Sequence, residues 1–148
     1  MSRPFPLAGL LRLRAMAEDQ AVGELAAARR DQRSAAERAG RTAERLGSWQ
    51  PPAAADLAAW QAAVAARVAL SSLLVEHTDD VDRADHVVAD KQQRWTAART
   101  RTRAVERLEE KHVEQVATEE GRAEQAALDE VAGRRVDPTA PPGDGGAS

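Results

Sequence analysis

The side chains with the greatest chemical potential lie in EHTDDVDRADHVVAD, Glu76 to Asp90. Within it Asp82, His86 and Asp90 stand at i, i+4 and i+8, on one face of a helix. Two carboxylates and an imidazole are donors that a divalent metal uses. The set is thin, because the chain has no Cys to add a thiolate and no nearby group that would orient the imidazole. A solvated acidic face without an ion is the expected state. His77 belongs to the same stretch, and His112 lies near an apolar stripe, where packing is expected rather than reactivity. No Gly-rich phosphate loop and no nucleophile elbow occur. The sequence therefore predicts no catalytic residue, no metal and no cofactor, and a chain that is not an enzyme.

A second stretch, KQQRWTAARTRTRAVER, carries six cations around Trp95. Nucleic-acid binding needs such a basic stripe but also stacking platforms. Only one aromatic is present here, and the residues that follow, to Glu120, are rich in Glu. A solvated helix or a protein-docking face is expected, with no nucleic-acid partner.

The elements that carry these residues follow from composition. The 148 residues include three Trp, one Phe and no Tyr. The apolar fraction is mostly Ala, which buries little area, so a dense globular core is not expected. Ala, Glu, Arg, Leu and Gln favour long helices that bury a narrow seam. The net charge is -3, distributed as +3 over residues 1–50, -5 over 51–90 and +1 over 91–136. That balance is too small to direct the chain to a polyanion.

At the start, Arg12 and Arg14 cut the apolar run Phe5–Leu11 too short for a secretion signal, and no small-residue cleavage site follows. Residues 53–75 are apolar on average, but Asp56, Gln61 and Arg67 interrupt them. Burying a charge in a bilayer costs roughly 3 kcal/mol. Direct membrane insertion is not expected, and a soluble, cytoplasmic chain is.

Proline marks the boundaries. None lies between Pro6 and Pro51, nor between Pro52 and Pro138. The sequence predicts one coiled-coil domain over residues 1–136, with helices over 6–48 and 54–135, a turn at 49–53, and a disordered Pro/Gly tail at 137–148. Gly47 is expected to close the first helix in the left-handed conformation, and the Pro pair to open the second. In the first window a heptad runs through positions 7, 11, 14, 18, 21, 25, 28, 32, 35, 39, 42, 46 and 49, and nine of these thirteen are apolar. The second is marked by Leu57, Trp60, Val64, Val68, Leu74, Val81, Val88 and Trp95, then, after phase shifts, Val105, Leu108, Val113 and Val116. Asp85 and Gln92 share that seam.

Neither stripe is buried alone, so the fold class predicted is all-α: two long helices in an antiparallel coiled-coil hairpin, the second longer and overhanging. With a connection of five to eight residues, pairing about the Pro–Pro turn sets Leu46 near Leu57 and Phe5 or Leu7 near Trp95. It leaves residues 97–135 as an overhang with Gly121 as its weak point. Trp49 and Trp60 would close the turn and Trp95 would clamp the far end.

Three segments taken together have a familiar order. They are FPLAGLLRLRAMAEDQAVGELAAAR at the start, LAAWQAAVAARVALSSL after the turn, and RAVERLEEKHVEQVATEEGRAEQAALDEVAGRR late in the chain, with Leu128, Asp129 and Glu130 as a Leu-Asp-Glu element. In this order the chain resembles the flagellar export protein FliJ family. The resemblance implies an antiparallel coiled coil similar to the gamma-type central stalk of rotary ATPases. It implies a place in the pore of a FliI-like hexameric export ATPase, promotion of ring assembly, contact with an FlhA-like export gate protein, and help to export chaperones. It also implies a position at the cytoplasmic face of the membrane, held there through the export apparatus. By the stalk analogy Arg12, Arg14, Arg122, Arg134 and Arg135 become ring contacts. Carried over by spacing, the gate contact falls on Trp60, Val64, Arg67 and Ser71. Arg67 and Ser71 depart from the small or apolar residue and the His-like residue of the family pattern. The alternative is a stalk of a virulence-type secretion system, or an unrelated coiled-coil scaffold or chaperone.

Overall fold

The computed structural model describes residues 3–54 and 56–135, with the side chain of Arg135 left out. The tail expected at 137–148 lies outside the described residues. Two helices make the structure: α1, Ala8–Gly47, and α2, Leu57–Arg135. They pack along each other as an antiparallel hairpin. At 1.5 Å per residue α1 is about 60 Å long and α2 about 119 Å.

The helix ends differ from the expectation for local reasons. α1 starts without a side-chain cap, and the Ala8 amide instead donates to the Phe5 carbonyl at 3.2 Å. At its other end no residue among those described has positive φ. Gly47 stays helical, and Ser48 follows at φ -86°, its amide donating to the Glu44 carbonyl at 2.9 Å. A bond from the Trp49 amide to the Leu46 carbonyl then tightens the last turn, so a left-handed residue is not required. The prolines do not open α2. Asp56 does: its Oδ1 accepts from the Ala59 amide at 2.8 Å and its carbonyl from the Trp60 amide at 3.0 Å. A carboxylate at that position satisfies an orphan donor and complements the helix dipole.

The connection is therefore nine residues long, just beyond the expected five to eight, and the register shifts with it. Cross-helix bonds fix the pairing. Thr42 Oγ1 meets His77 Nδ1 at 3.0 Å, Gln32 donates to Asp85 at 2.6 Å, and Arg29 to Gln92 at 2.9 Å. Lys91 Nζ donates to Glu24 at 2.8 Å and Arg99 to Glu18 at 2.9 Å, and the Thr102 hydroxyl reaches the Arg14 carbonyl at 3.3 Å. Phe5 packs its ring 5.7 Å from His112, not on Trp95. The expected pairs, Leu46 with Leu57 and Phe5 or Leu7 with Trp95, are not formed. Trp95 sits in the middle of the hairpin, its indole N–H buried without a partner. The extended connection lets α2 begin beyond the end of α1 and run back past it. The covered part of α2 reaches Val116, and every described side chain from Ala117 to Arg134 is exposed. The overhang is thus about half of the expected 97–135.

The seam of α1 is as predicted: of its thirteen heptad positions all but Leu7 are buried or half-buried. Leu25, Ala28 and Ala35 form its centre. Alanine there lets the axes approach to the lower end of the roughly 8–10 Å range. The seam of α2 bears out the expectation at Leu74, Val81, Val88, Trp95, Val105 and Val116 and corrects it elsewhere. Leu57, Trp60, Val64, Val68, Leu108 and Val113 are exposed. The inward positions instead run without interruption through Leu70, Leu74, His77, Val81, Ala84, Val88, Lys91, Trp95, Ala98, Thr102, Val105, Glu109, His112 and Val116. This is a steady heptad with no phase shift, hidden because small and polar residues occupy half of it.

Candidate functional site

Two sets of residues are singled out by the sequence, one near the tip and the other spread from the middle of α2 to its far end. Trp60, Val64, Arg67 and Ser71 stand at i, i+4, i+7 and i+11, so α2 presents them as one stripe near the tip. Trp60 is 45% and Val64 40% exposed, and Leu57, Val68 and Val75 beside them are more so. An 18-residue window of α2 reaches a mean hydropathy of 1.5 with none of it buried. In charge pattern it falls at the start of the helix, where Arg67 stands alone between Asp56 and Glu76. By length and composition this is enough to cross a membrane, but Arg67 would have to enter the bilayer. The Arg67 guanidinium stays close, 5.1 Å above the ring of half-buried Trp49 on the connection. Ser71 donates its hydroxyl to the Arg67 carbonyl at 3.1 Å. So Trp49, not Trp60, closes the tip, and Arg67 holds it by a cation–π contact. The stripe can do no acid–base or nucleophilic chemistry. It offers an aromatic and branched apolar face to a partner.

The arginines at the other end are spread out. Arg12 is exposed, and Arg14 is half-buried on the seam. The Thr102 contact sets Arg14 level with the middle of α2. Arg122 lies about 30 Å farther along the axis and Arg134 about 48 Å. Arg134 is engaged by Glu130 one turn earlier, and the Arg135 side chain is outside the described residues. Arg12, Arg14, Arg122 and Arg134 do not form one patch. They are spread along the half of the rod that thins from two helices to one.

The groups read for other chemistry are placed plainly. Asp82, His86 and Asp90 are exposed, and Asp90 pairs with Arg94 at 3.0 Å. No cluster of three metal-binding side chains occurs among the described residues. His112 packs on Phe5 and bonds through Nε2 to the Arg3 carbonyl at 3.2 Å. Lys91 and Arg99, from the basic stretch, are spent on Glu24 and Glu18 across the seam. Lys91 beside it, with help from Gln20, holds the Glu24 carboxyl below its ordinary range. Sequence reasoning missed these cross-helix partners because neither member of a pair is apolar, and the signal lies only in the heptad spacing.

Comparison with known proteins adds one finding. The family model described as flagellar FliJ protein matches residues 2–137. No curated protein and no solved structure matches.

Proposed function

The chain belongs to the flagellar FliJ family, and so to the machinery of flagellar protein export; we propose that within it this hairpin is a stalk that performs no reaction. It sits in the ring of the FliI-like export ATPase, promotes assembly of that ring, and links it to the FlhA-like gate and to export chaperones. It is a cytoplasmic component, held at the inner face of the membrane by the apparatus it joins. What carries this reading is the taper: from Ala117 to Arg134 α2 runs past α1 with every described side chain exposed, touched only near its start by Arg3 at Glu119, a thin charged rod projecting from a two-helix shaft. A rod gripped by a ring needs stiffness and distributed polar contacts. Exposed ion pairs contribute only about 0–1 kcal/mol each, so such a surface touches several subunits without locking to one.

In this reading Arg12, Arg14, Arg122, Arg134 and Arg135 meet the ring, and Trp60, Val64, Arg67 and Ser71 meet the gate. The ATPase test uses the purified cognate export ATPase with and without saturating stalk. Higher activity and more hexamer are expected, and their loss when Arg122, Arg134 and Arg135 are replaced by Ala. Unchanged rate and oligomeric state with the native chain would count against the stalk. For the gate, Trp60→Ala and Val64→Ala should abolish capture by the gate protein while leaving ATPase stimulation intact.

A further inference from the structure

Both seams keep a seven-residue period, and neither changes phase. Displacing one helix along the other by one heptad therefore sets seam residues opposite seam residues again. Two features decide whether the chain tolerates this: how firmly the polar pairs hold the present register, and how far the connection reaches. Half of the α2 seam is small or polar, and the centre of the α1 seam holds Ala28 and Ala35, so little interlocks. One member fits poorly where it stands, since the Trp95 indole N–H is buried without a partner. The Thr42–His77 and Trp49–Arg67 contacts set Gly47 level with about Leu70. The connection thus climbs about 20 Å along the axis before Leu57. Its nine residues include Pro51 and Pro52; in extended form, at about 3.1 Å per residue, they reach about 28 Å.

We propose that the hairpin has a second register, one heptad away, in which α2 has slid about 10 Å toward its overhanging end. Each α2 residue is then replaced, at its level, by the one seven positions earlier. Arg29 meets Asp85 in place of Gln92, gaining a charged partner for a neutral one. Gln32 meets Thr78 in place of Asp85, and Glu18 meets Gln92 in place of Arg99, with Lys91 arriving beside it. Trp95 takes the place from which Thr102 reaches the Arg14 carbonyl, so its N–H gains an acceptor. Phe5 meets Val105 in place of His112. The losses are the Lys91–Glu24 pair and the Thr42–His77 bond. Both members of that ion pair are partly exposed, and such pairs hold a register weakly. Thr42 keeps the Arg38 carbonyl one turn back, the acceptor position that Thr78, Thr96, Thr100, Thr102 and Thr118 already use. The slide runs one way only. Toward the tip the connection would have to climb about 30 Å, beyond its reach, whereas toward the overhang it slackens. The slide also links the two ends. Seven more residues of α2, back to about Glu110, leave the shaft, while Trp60 moves into the place of Arg67 against Trp49. A longer free helix and a covered tip arise together.

The test traps each register by a disulfide in the full chain, which has no Cys of its own. Val81, Val88 and Trp95 are successive heptad positions of α2. Ala28→Cys is therefore combined with Val88→Cys for the present register, with Val81→Cys for the slid one, and with Trp95→Cys for the forbidden slide toward the tip. Closure in a glutathione buffer is followed by mass spectrometry, counting only bridges within one chain. The first pair should close fastest. The second should close about tenfold to a thousandfold more slowly, in proportion to a minor state. The third should be slower again by about tenfold or more, although Trp95→Cys loosens the seam most. The chain locked through Ala28 and Val81 should remain helical and melt cooperatively by circular dichroism. With Trp49→Phe and Trp95→Phe leaving Trp60 as the one tryptophan, acrylamide should quench it about twofold less in that lock than in the lock through Val88. Closure of the second pair no faster than the third, or loss of helix in its lock, would overturn the second register. Equal quenching in the two locks would overturn the link between the ends. Neither ATPase nor gate takes part, so this result and that of the stalk tests are read independently.

Discussion

Both ends of α2 run past α1, and they are built of opposite materials. The first end, Leu57 to about Val68, has one charge and four large or branched apolar side chains in water. The last, Ala117 to Arg134, alternates Glu, Arg and Ala and closes its own pairs one turn apart, as in Gln125 with Asp129 and Glu130 with Arg134. Neither is held by α1. A charged single helix is at home in water, if marginal in stability. An apolar one carries an exposed face that a partner would cover. The two ends are thus fitted to different surroundings, and only the shaft between them owes its order to the seam.

That contrast can be broken most directly by placing the same charge in the shaft and at the end. Leu25 is 5% exposed. Leu25→Asp should cost about 3 kcal/mol or more and unfold the hairpin in a thermal melt followed by circular dichroism. Leu128→Asp, in the overhang, should change stability by less than about 0.5 kcal/mol. Equal effects would mean that the shaft is not what holds the fold.

The register sharpens it next. Spin labels on Ala36→Cys and Asp82→Cys should lie about 10 Å apart, at the spacing of packed helices. A tight turn at the prolines would set the two residues about 25 Å apart instead. Then comes the closure of the tip. Trp49→Ala removes a half-buried ring and the Arg67 contact, and should lower stability by about 1–2 kcal/mol. A result near zero would free the connection from any role in seating α2.

The smallest effect is electrostatic. The Glu24 carboxyl ordinarily titrates near 4.5, and Lys91 lowers it in the folded chain. Its contribution is present above that ordinary value and is lost as pH falls through the lowered one. The difference in melting temperature between the native chain and Glu24→Gln should therefore shrink on acidification below about 4.5. A difference independent of pH would assign the loss to packing.

Much of this was legible in the residues. The two proline-free windows and the Ala-rich heptad of α1 specify a helical hairpin by propensity and period alone. The tip stripe follows from helical spacing, since Trp60, Val64, Arg67 and Ser71 share a face in any helix. The seam of α2 was legible only in part. Leu74, Val81, Val88, Trp95, Val105 and Val116 stand on it as the apolar pattern says, whereas Leu57 to Val64 lie beyond the end of α1, and His77, Lys91, Thr102 and Glu109 point toward α1 without an apolar signal. Hydrophobic pattern finds a seam only where burial is the main reward. Here polar members are satisfied across the interface by Thr42, Glu24 and the Arg14 carbonyl.

The sequence by itself determined that the chain is two helices broken near the proline pair, and that it has too little apolar volume to be anything but slender. Local propensity, proline and heptad period act within a few residues and need no partner to operate. The register and the length of the overhang were decided only in three dimensions. They depend on how far the connection climbs before Asp56 starts α2, and on which polar side chains meet across the seam. Those are contacts between residues 35 to 109 positions apart, which no local pattern encodes.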